Sequence, residues 1–195
     1  MRHYPAHTFL FHQGWQAKSV YFVESGIVKV FHTNEDGKES IIDLRGGGNA
    51  YGVAATLLAK PFQLSGMTLT DCQVWSVDSE TFLSLLQTDA KFSLYIHQLQ
   101  SQNYYKQMGI RFGSVRQRLE NLLRQLILIL GLDETEKNLR FRNPISQYDM
   151  AALIDTTYTY VSKILKQMER EGLLHKKNRW LTIFDPQTLC RMEVC

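Results

Sequence analysis

Residues 145–171 read ISQYDMAALIDTTYTYVSKILKQMERE, and two helices joined by a tight turn account for the pattern of that stretch. Met150, Leu153 and Ile154 are apolar at helical spacing, Ala151 and Ala152 are small enough for close approach, and Ser146 is the candidate N-cap. Asp155 takes the turn, because a short polar side chain enters the left-handed region more easily than most, and Thr156 or Thr157 caps the helix that follows. In that second helix Val161, Ile164, Leu165 and Met168 form one stripe, while Tyr158, Thr159, Ser162, Lys163 and Lys166 fall on the other side. One face is built to be buried, and the other is free to enter a groove.

Going outward, Gly172, Leu173 and Leu174 lead into a short basic hairpin, Lys176 to Arg179, and an apolar strand, Trp180 to Ile183. The run DMAALIDTTYTYVSKILKQMEREGLLHKKNRWLTIFD, residues 149–185, resembles the winged helix-turn-helix of the CRP/FNR family of bacterial transcription regulators. That resemblance implies double-stranded DNA as the partner, with the second helix in the major groove. In the family's best-known members this helix begins with Arg and then Glu, with a further Arg one turn on. Those positions are Tyr158, Thr159 and Lys163 here. Lys163 keeps a natural contact to guanine O6 and N7, whereas Tyr and Thr offer a hydroxyl or an apolar contact to a thymine methyl. Thr157 and Ser162 belong to the same face. Lys166, Lys176, Lys177 and Arg179 are expected to hold phosphates, which fixes the frame without reading bases. The expected half-site is therefore less dependent on guanine than the family's usual one.

Charge agrees with this placement. The chain carries a formal +3, but residues 1–112 are balanced, at nine Lys+Arg against nine Asp+Glu, and residues 137–182 hold nine against four. The basic surplus coincides with the helix-turn-helix, as a phosphate footprint would.

From His3 to about Val77 the chain alternates short apolar runs with Gly and Asx turns, the pattern of an antiparallel sandwich or barrel. The runs are Thr8 to Phe11, Val20 to Val23, Ile27 to Phe31, Ser40 to Leu44, Gly66 to Leu69 and Cys72 to Val77. Glu24-Ser25-Gly26 turns the chain once, and Asn34-Glu35-Asp36-Gly37 is a strong hairpin signal. HQGWQAKSVYFVESGIVKVFHTNEDGKESIIDL followed by GNAYGVAATL resembles the β-roll of a cyclic-nucleotide-binding domain. The roll begins almost at Met1, without the short helical segment the family usually places first.

In cyclic-AMP binders of that family, the loop after this glycine holds a Glu that grips the ribose, and a nearby Arg-Ser pair neutralises the phosphate. Here Val53 takes the Glu position and Lys60 to Gly66, KPFQLSG, contains no Arg. A buried phosphate without a cationic partner costs several kcal/mol, and Lys60 is a point charge that does not replace an Arg fork. Cyclic AMP is therefore not an expected ligand. The resemblance places an effector pocket at Tyr51, Gly52, Val53, Ala54 and Lys60, reached from a long helix at Gln102, Asn103 and Tyr104. An effector held there would be less strongly charged, or held through the helix near Asn103. Gly46 to Gly48 is a turn between strands, with neither GK[ST] nor GxGxxG around it.

Asp78 to Leu86 reads as a short helix capped by Asp78 or Ser79, and a long helix follows from about Asp89 to Phe112. In it Phe92, Ile96, Leu99, Asn103, Lys106 and Ile110 alternate spacings of four and three, the seam of a coiled coil. By resemblance this is the helix through which two copies pair. Gly113 breaks it, Ser114 caps the next helix, Val115 to Leu130, and Leu119, Leu122, Leu123, Leu126 and Ile127 must be buried there. Gly131 ends that helix, Leu139 to Arg142 is placed to pair with the wing, and Asp185-Pro186 starts a short last helix.

No run approaches the roughly 18 apolar residues a membrane span needs, and the polar, histidine-bearing start has no secretory core. Cys72, Cys190 and Cys195 form neither a CxxC pair nor an even framework. The cytoplasm is the expected compartment. A redox pair of Cys190 and Cys195 is a lesser reading. His3, His7, His12 and His32 lie in the roll, but no HxH occurs to suggest a cupin-type metal centre, and there is no four-cysteine set for an iron–sulfur cluster.

The expected protein is thus α+β: an antiparallel β-roll with a dimerisation helix over residues 1–112, then a winged helix-turn-helix unit over residues 113–195. The expected function is dimeric, sequence-specific transcription regulation with RNA polymerase as a further partner, no enzyme activity, no metal and no cofactor. Two other readings are a small-molecule sensor whose helix-turn-helix docks protein, and a cupin-like metalloenzyme.

Overall fold

A computed structural model describes residues 1–189, apart from the side chains of residues 109–111. The suggested pairing of Cys190 with Cys195 lies outside the described residues. Two compact units are present, Met1–Tyr105 and Lys106–Cys195.

The first unit has two antiparallel four-stranded sheets. The strands are β1 (Arg2–Tyr4), β2 (Phe9–Phe11), β3 (Ser19–Ser25), β4 (Val28–Thr33), β5 (Glu39–Arg45), β6 (Asn49–Tyr51), β7 (Ser65–Thr68) and β8 (Cys72–Asp78). They are ordered β1-β8-β3-β6 and β2-β7-β4-β5. The six expected runs all appear. The hairpin at Asn34 forms as read, with Gly37 N–H donating to the Asn34 carbonyl at 3.0 Å and Lys38 N–H donating to its side chain at 2.7 Å. β1 and β6 are additional, as is the short helix α1 (Val53–Leu57).

Alternation along β3 explains why one sheet has two buried faces. Tyr21 and Val23 point into the roll, where they join Leu10, Phe11, Val28, Val30, Tyr51, Phe62 and Val74. Val20 and Phe22 point the other way, into a second cluster. That cluster is roofed by α2 (Ser79–Thr88) and α3 (Ala90–Arg111), which contribute Phe82, Phe92, Ile96 and Leu99.

This overturns one expectation. Over most of its length the proposed coiled-coil seam does not face outward, because Phe92, Ile96 and Leu99 pack on the roll of their own unit and Asn103 is buried; Lys106 is exposed, and the side chain of Ile110 lies outside those described. A second series on α3 and just past it, Leu94, Gln98, Ser101, Tyr105, Met108 and Phe112, has the same alternation of four and three. Its four apolar members are exposed. Spacing defines a stripe but does not say what the stripe faces.

The second unit contains α4 (Val115–Ile129), β9 (Leu139–Arg142), α5 (Gln147–Leu153), α6 (Tyr158–Arg170), β10 (Leu174–Lys177), β11 (Trp180–Ile183) and a final 3-10 turn, Pro186–Thr188, capped by Asp185. Ser114 and Gln117 form a capping box on α4, and Ser146 and Asp149 form one on α5. Leu119, Leu122, Leu123, Leu126 and Ile127 are completely buried. The sheet order is β10-β11-β9, so Leu139–Arg142 does pair with the wing.

Candidate DNA interface and the interior of the roll

The helix-turn-helix forms as the sequence indicates, and its geometry rests on three residues. Asp155 adopts φ +51° and turns the chain. Thr157 then caps α6, its side chain accepting from Tyr160 N–H at 3.3 Å. An N-cap of this kind is worth about 1 kcal/mol. Val161, Ile164, Leu165 and Met168 are buried, which leaves Thr157, Tyr158, Thr159, Lys163 and Lys166 exposed and Ser162 half-buried.

The wing is a two-residue hairpin, Asn178-Arg179, with Lys177 opposite Trp180 and Asn178 at φ +56°. Lys176, Lys177 and Arg179 are all exposed. Glu169 ties this hairpin to α6: its Oε1 accepts from Lys176 N–H at 3.2 Å and lies 2.7 Å from His175 Nδ1. Trp180 sits in register between Lys177 and Arg142, and Arg140 lies over its ring at 4.9 Å. All nine expected DNA contacts are thus at the surface of the second unit, six on or beside α6 and three on the hairpin.

Two features of this unit went unread in the sequence. Arg116 of α4 donates to both carboxylate oxygens of Glu171, at 2.9 and 2.6 Å, and to Glu120 at 2.9 Å. The bidentate bond to Glu171, followed by that to Glu120, holds the guanidinium more firmly protonated, and Arg116 in turn lowers the pKa of the Glu171 carboxyl. The clamp joins the start of α4 to the C-cap of α6. The second feature is Tyr148 of α5, whose ring stacks on that of Tyr158 with centroids 4.4 Å apart and planes 16° from parallel. Arg116 and Glu120 are spaced i, i+4, but the bond to Glu171 spans 55 residues and has no local signal, and Tyr148 meets Tyr158 only once the turn at Asp155 brings α5 and α6 together.

The first unit distributes the expected effector residues differently. Gly52, at φ +90°, caps α1 and turns Tyr51 and Val53 into different clusters. Tyr51 lies in the roll interior, and burial pushes its phenol pKa well above the usual value. Val53 packs with Val20, Ala50, Phe82, Ile96 and Leu99. Ala54 and Lys60 are exposed, as are Gln102 and Tyr104, whereas Asn103 is buried. Tyr51 and Val53 therefore belong to different interiors.

Aromatic rings pack against one another in the interior. Phe62 stacks on Phe11 at 4.5 Å, and Phe11 lies 5.8 Å from Tyr21 and 6.1 Å from Tyr51. Gly66 is required beneath this stack, since a Cβ there would run into the Phe11 ring. Arg45 lies over the Tyr51 ring at 5.9 Å, but its Nε donates to Asp43, itself buried, so this cation is already matched. The i, i+2 spacing of Asp43 and Arg45 on β5 puts both on one face of the strand.

Among the described residues no group of three His, Cys, Asp or Glu is placed to hold a metal ion. Among them, too, no helix is long and apolar enough to cross a membrane.

A roll of the cyclic-nucleotide type joined to a winged helix-turn-helix defines a class of DNA-binding regulator, and comparison with known proteins bears on both halves. Residues 1–89 match the model of the cyclic nucleotide-binding domain, and residues 117–192 match that of the Crp-like helix-turn-helix domain. The cAMP-activated global transcriptional regulator CRP of Haemophilus influenzae is 25% identical over 191 residues, 93% of this chain and 82% of that protein. The CRP-like protein Clp of Xanthomonas campestris is 23% identical over 193 residues, 94% of this chain and 83% of that one. In fold, the chain is similar to FixK2 of Bradyrhizobium japonicum, with a TM-score of 0.76 at 17% identity covering 96% and 93% of the two chains. A CRP-family regulator of Thermus thermophilus gives 0.74 at 18%, covering 97% and 94%. The chain belongs to the CRP/FNR family of transcription regulators.

Proposed function

We propose that this DNA-binding regulator acts as a homodimer on a half-site of its own, and that its sensor unit does not respond to cyclic AMP. Residues 1–112 would serve as sensor and dimer helix, and residues 113–195 as the DNA-binding unit. The observation that carries the DNA reading is the exposed face of α6, where Tyr158, Thr159 and Lys163 stand clear of the core beside a basic wing. Two such faces related by a two-fold axis would read two half-sites. The pairing surface favoured is the outer side of α3 in the first unit, which carries exposed Leu94 and Tyr105, because the other side is already used by the roll.

The aromatic filling of the roll, the burial of Val53 and the matching of Arg45 by Asp43 support the loss of cyclic-AMP binding. The relative from Haemophilus influenzae is named as cAMP-activated, while a solved relative from Xanthomonas campestris is titled c-di-GMP responsive. Both ligands are anionic, and neither suits this interior. Buried amide nitrogens of Gln100 and Asn103, without hydrogen-bond partners among the described residues, favour a neutral effector rich in acceptors at α3. RNA polymerase is the natural further partner of such a regulator.

Selection from random DNA with the purified protein, followed by titrations at rising salt, tests the main reading. A preferred two-fold site and a steep fall of affinity with salt are expected. Salt-insensitive or absent DNA binding would overturn it and leave α6 as a protein-docking face. Calorimetric titration with cyclic AMP should give no heat of binding, and micromolar affinity would overturn the reading of the roll.

A further inference from the structure

We propose that Tyr148 is a specificity-determining positioning residue: its stack on Tyr158 fixes that ring at the start of α6 so that it meets a thymine in each half-site. The inference rests on the reading of α6 as the base-contacting helix. Tyr158 is the first residue of α6 and follows the Thr157 cap, at the end of the helix whose N-terminal residues contact base edges in this motif. Tyr148 is the second residue of α5, behind the Ser146–Asp149 capping box. Both backbones are therefore anchored, and the two rings meet face to face at 4.4 Å and 16°.

The pair belongs to neither packed interior of the first unit, and its exposure excludes a core role in the second. Tyr148 is 70% exposed and Tyr158 is 41% exposed. An unsupported tyrosine at the tip of a helix samples several rotamers and must be ordered when DNA binds. A ring held by a stacking neighbour has already lost much of that freedom, so its contact discriminates between bases more sharply. The edge of a fixed phenol fits thymine better than any other base in the major groove. Its carbon edge packs on the C5 methyl, and its hydroxyl is able to donate to O4. Tyr160 also lies at the surface, with Lys163 Nζ 5.9 Å from its ring centre, but among the described residues no aromatic ring stacks on it.

The test uses the full-length protein and the half-site recovered by selection. Affinities are measured by fluorescence anisotropy for that site, for each single-base change, and for sites with each thymine replaced by uracil, which removes only the methyl group. Tyr148→Ala should flatten the preference for thymine at one position per half-site by about three- to tenfold, the factor a stacked ring pair is worth. It should also make the uracil replacement silent there. Tyr148→Phe, which keeps the stack, should behave as wild type. Tyr158→Ala should abolish the same preference, and adding Tyr148→Ala to it should change nothing further. The inference is overturned if Tyr148→Ala weakens all sequences alike, if Tyr148→Phe behaves as Tyr148→Ala, or if the selected half-site has no methyl-sensitive thymine. If Tyr158→Ala and Lys163→Ala both leave base preference intact, the reading of α6 falls and takes this inference with it. If those two alter the preference and Tyr148→Ala does not, only the role of Tyr148 falls.

Discussion

The two units carry their expected departures from the family in different places. In the helix-turn-helix the changed positions, Tyr158, Thr159 and Lys163, are exposed, and the buried stripe beneath them is intact. In the roll the expected change lies inside: Val53 is built into a core, and Phe11 and Phe62 stack in the interior. A surface change would retune what is recognised, whereas the loss proposed for the roll would lie in its interior. The DNA-binding unit is therefore expected to have a new preference, and the roll to have lost an old one.

The largest effects should come from the two stripes of α3, which separate folding from pairing. Leu99→Asp places a charge in the cluster beneath α2 and α3 and should cost about 4 kcal/mol or more. Tyr105→Asp alters an exposed ring and should leave the melting temperature of the first unit unchanged while converting dimer to monomer in sedimentation at micromolar concentration. If Leu99→Asp yields a well-folded monomer, the assignment of the two stripes is reversed.

Next in size is Gly66→Ala, which drives a methyl group into the Phe11 ring and should destabilise the roll by about 1–3 kcal/mol in chemical denaturation. Combining it with Phe11→Leu should cost less than the sum of the two changes, since the smaller side chain relieves the clash. Strict additivity would show that the aromatic stack is not what requires the glycine.

In the second unit, Lys163→Ala should cost about 1–3 kcal/mol on the preferred site and relax one position per half-site. Lys177→Ala should weaken every sequence alike and reduce the salt slope by about 1 for each subunit. The contrast between reader and clamp is lost if both variants behave alike on operator and random DNA.

The smallest effect is that of Glu171→Gln. Because Arg116 holds the Glu171 carboxyl below its ordinary range, the folded state binds this proton less readily than the unfolded chain. The clamp therefore contributes stability at neutral pH that falls away as pH drops below about 4, through the lowered pKa of the folded state. The melting temperatures of wild type and Glu171→Gln should differ slightly at pH 7 and converge in acid. A constant difference across that range would remove the carboxylate from the account.

What could be read from the sequence follows from how many residues report on each feature. The helix-turn-helix was legible because periodicity, caps and the Asp155 turn all agree within one short stretch. The longer strands and the Asn34–Gly37 hairpin were legible for the same reason. β1 and β6 have three residues each and α1 has five, too few to display a period. The face of α3 that packs on the roll was misread because both stripes obey the same spacing. Of the site, the exposed face of α6 and the wing were found. Tyr148 and the Arg116–Glu171 clamp were not, because their meaning lies in a partner that only the folded chain supplies; the Asp43–Arg45 pair is local, but an i, i+2 pair does not show that its strand face is buried.

The two stripes of α3 also bear on how this protein can change over time. If the proposed pairing holds, a helix that packs on its own roll along one side and meets a second copy along the other has few neutral positions. Substitutions on α3 would then be filtered by two independent demands, whereas those at Thr159 or Lys163 would meet mainly the demand of the operator. Operator preference can thus drift quickly on a scaffold that is itself held nearly still.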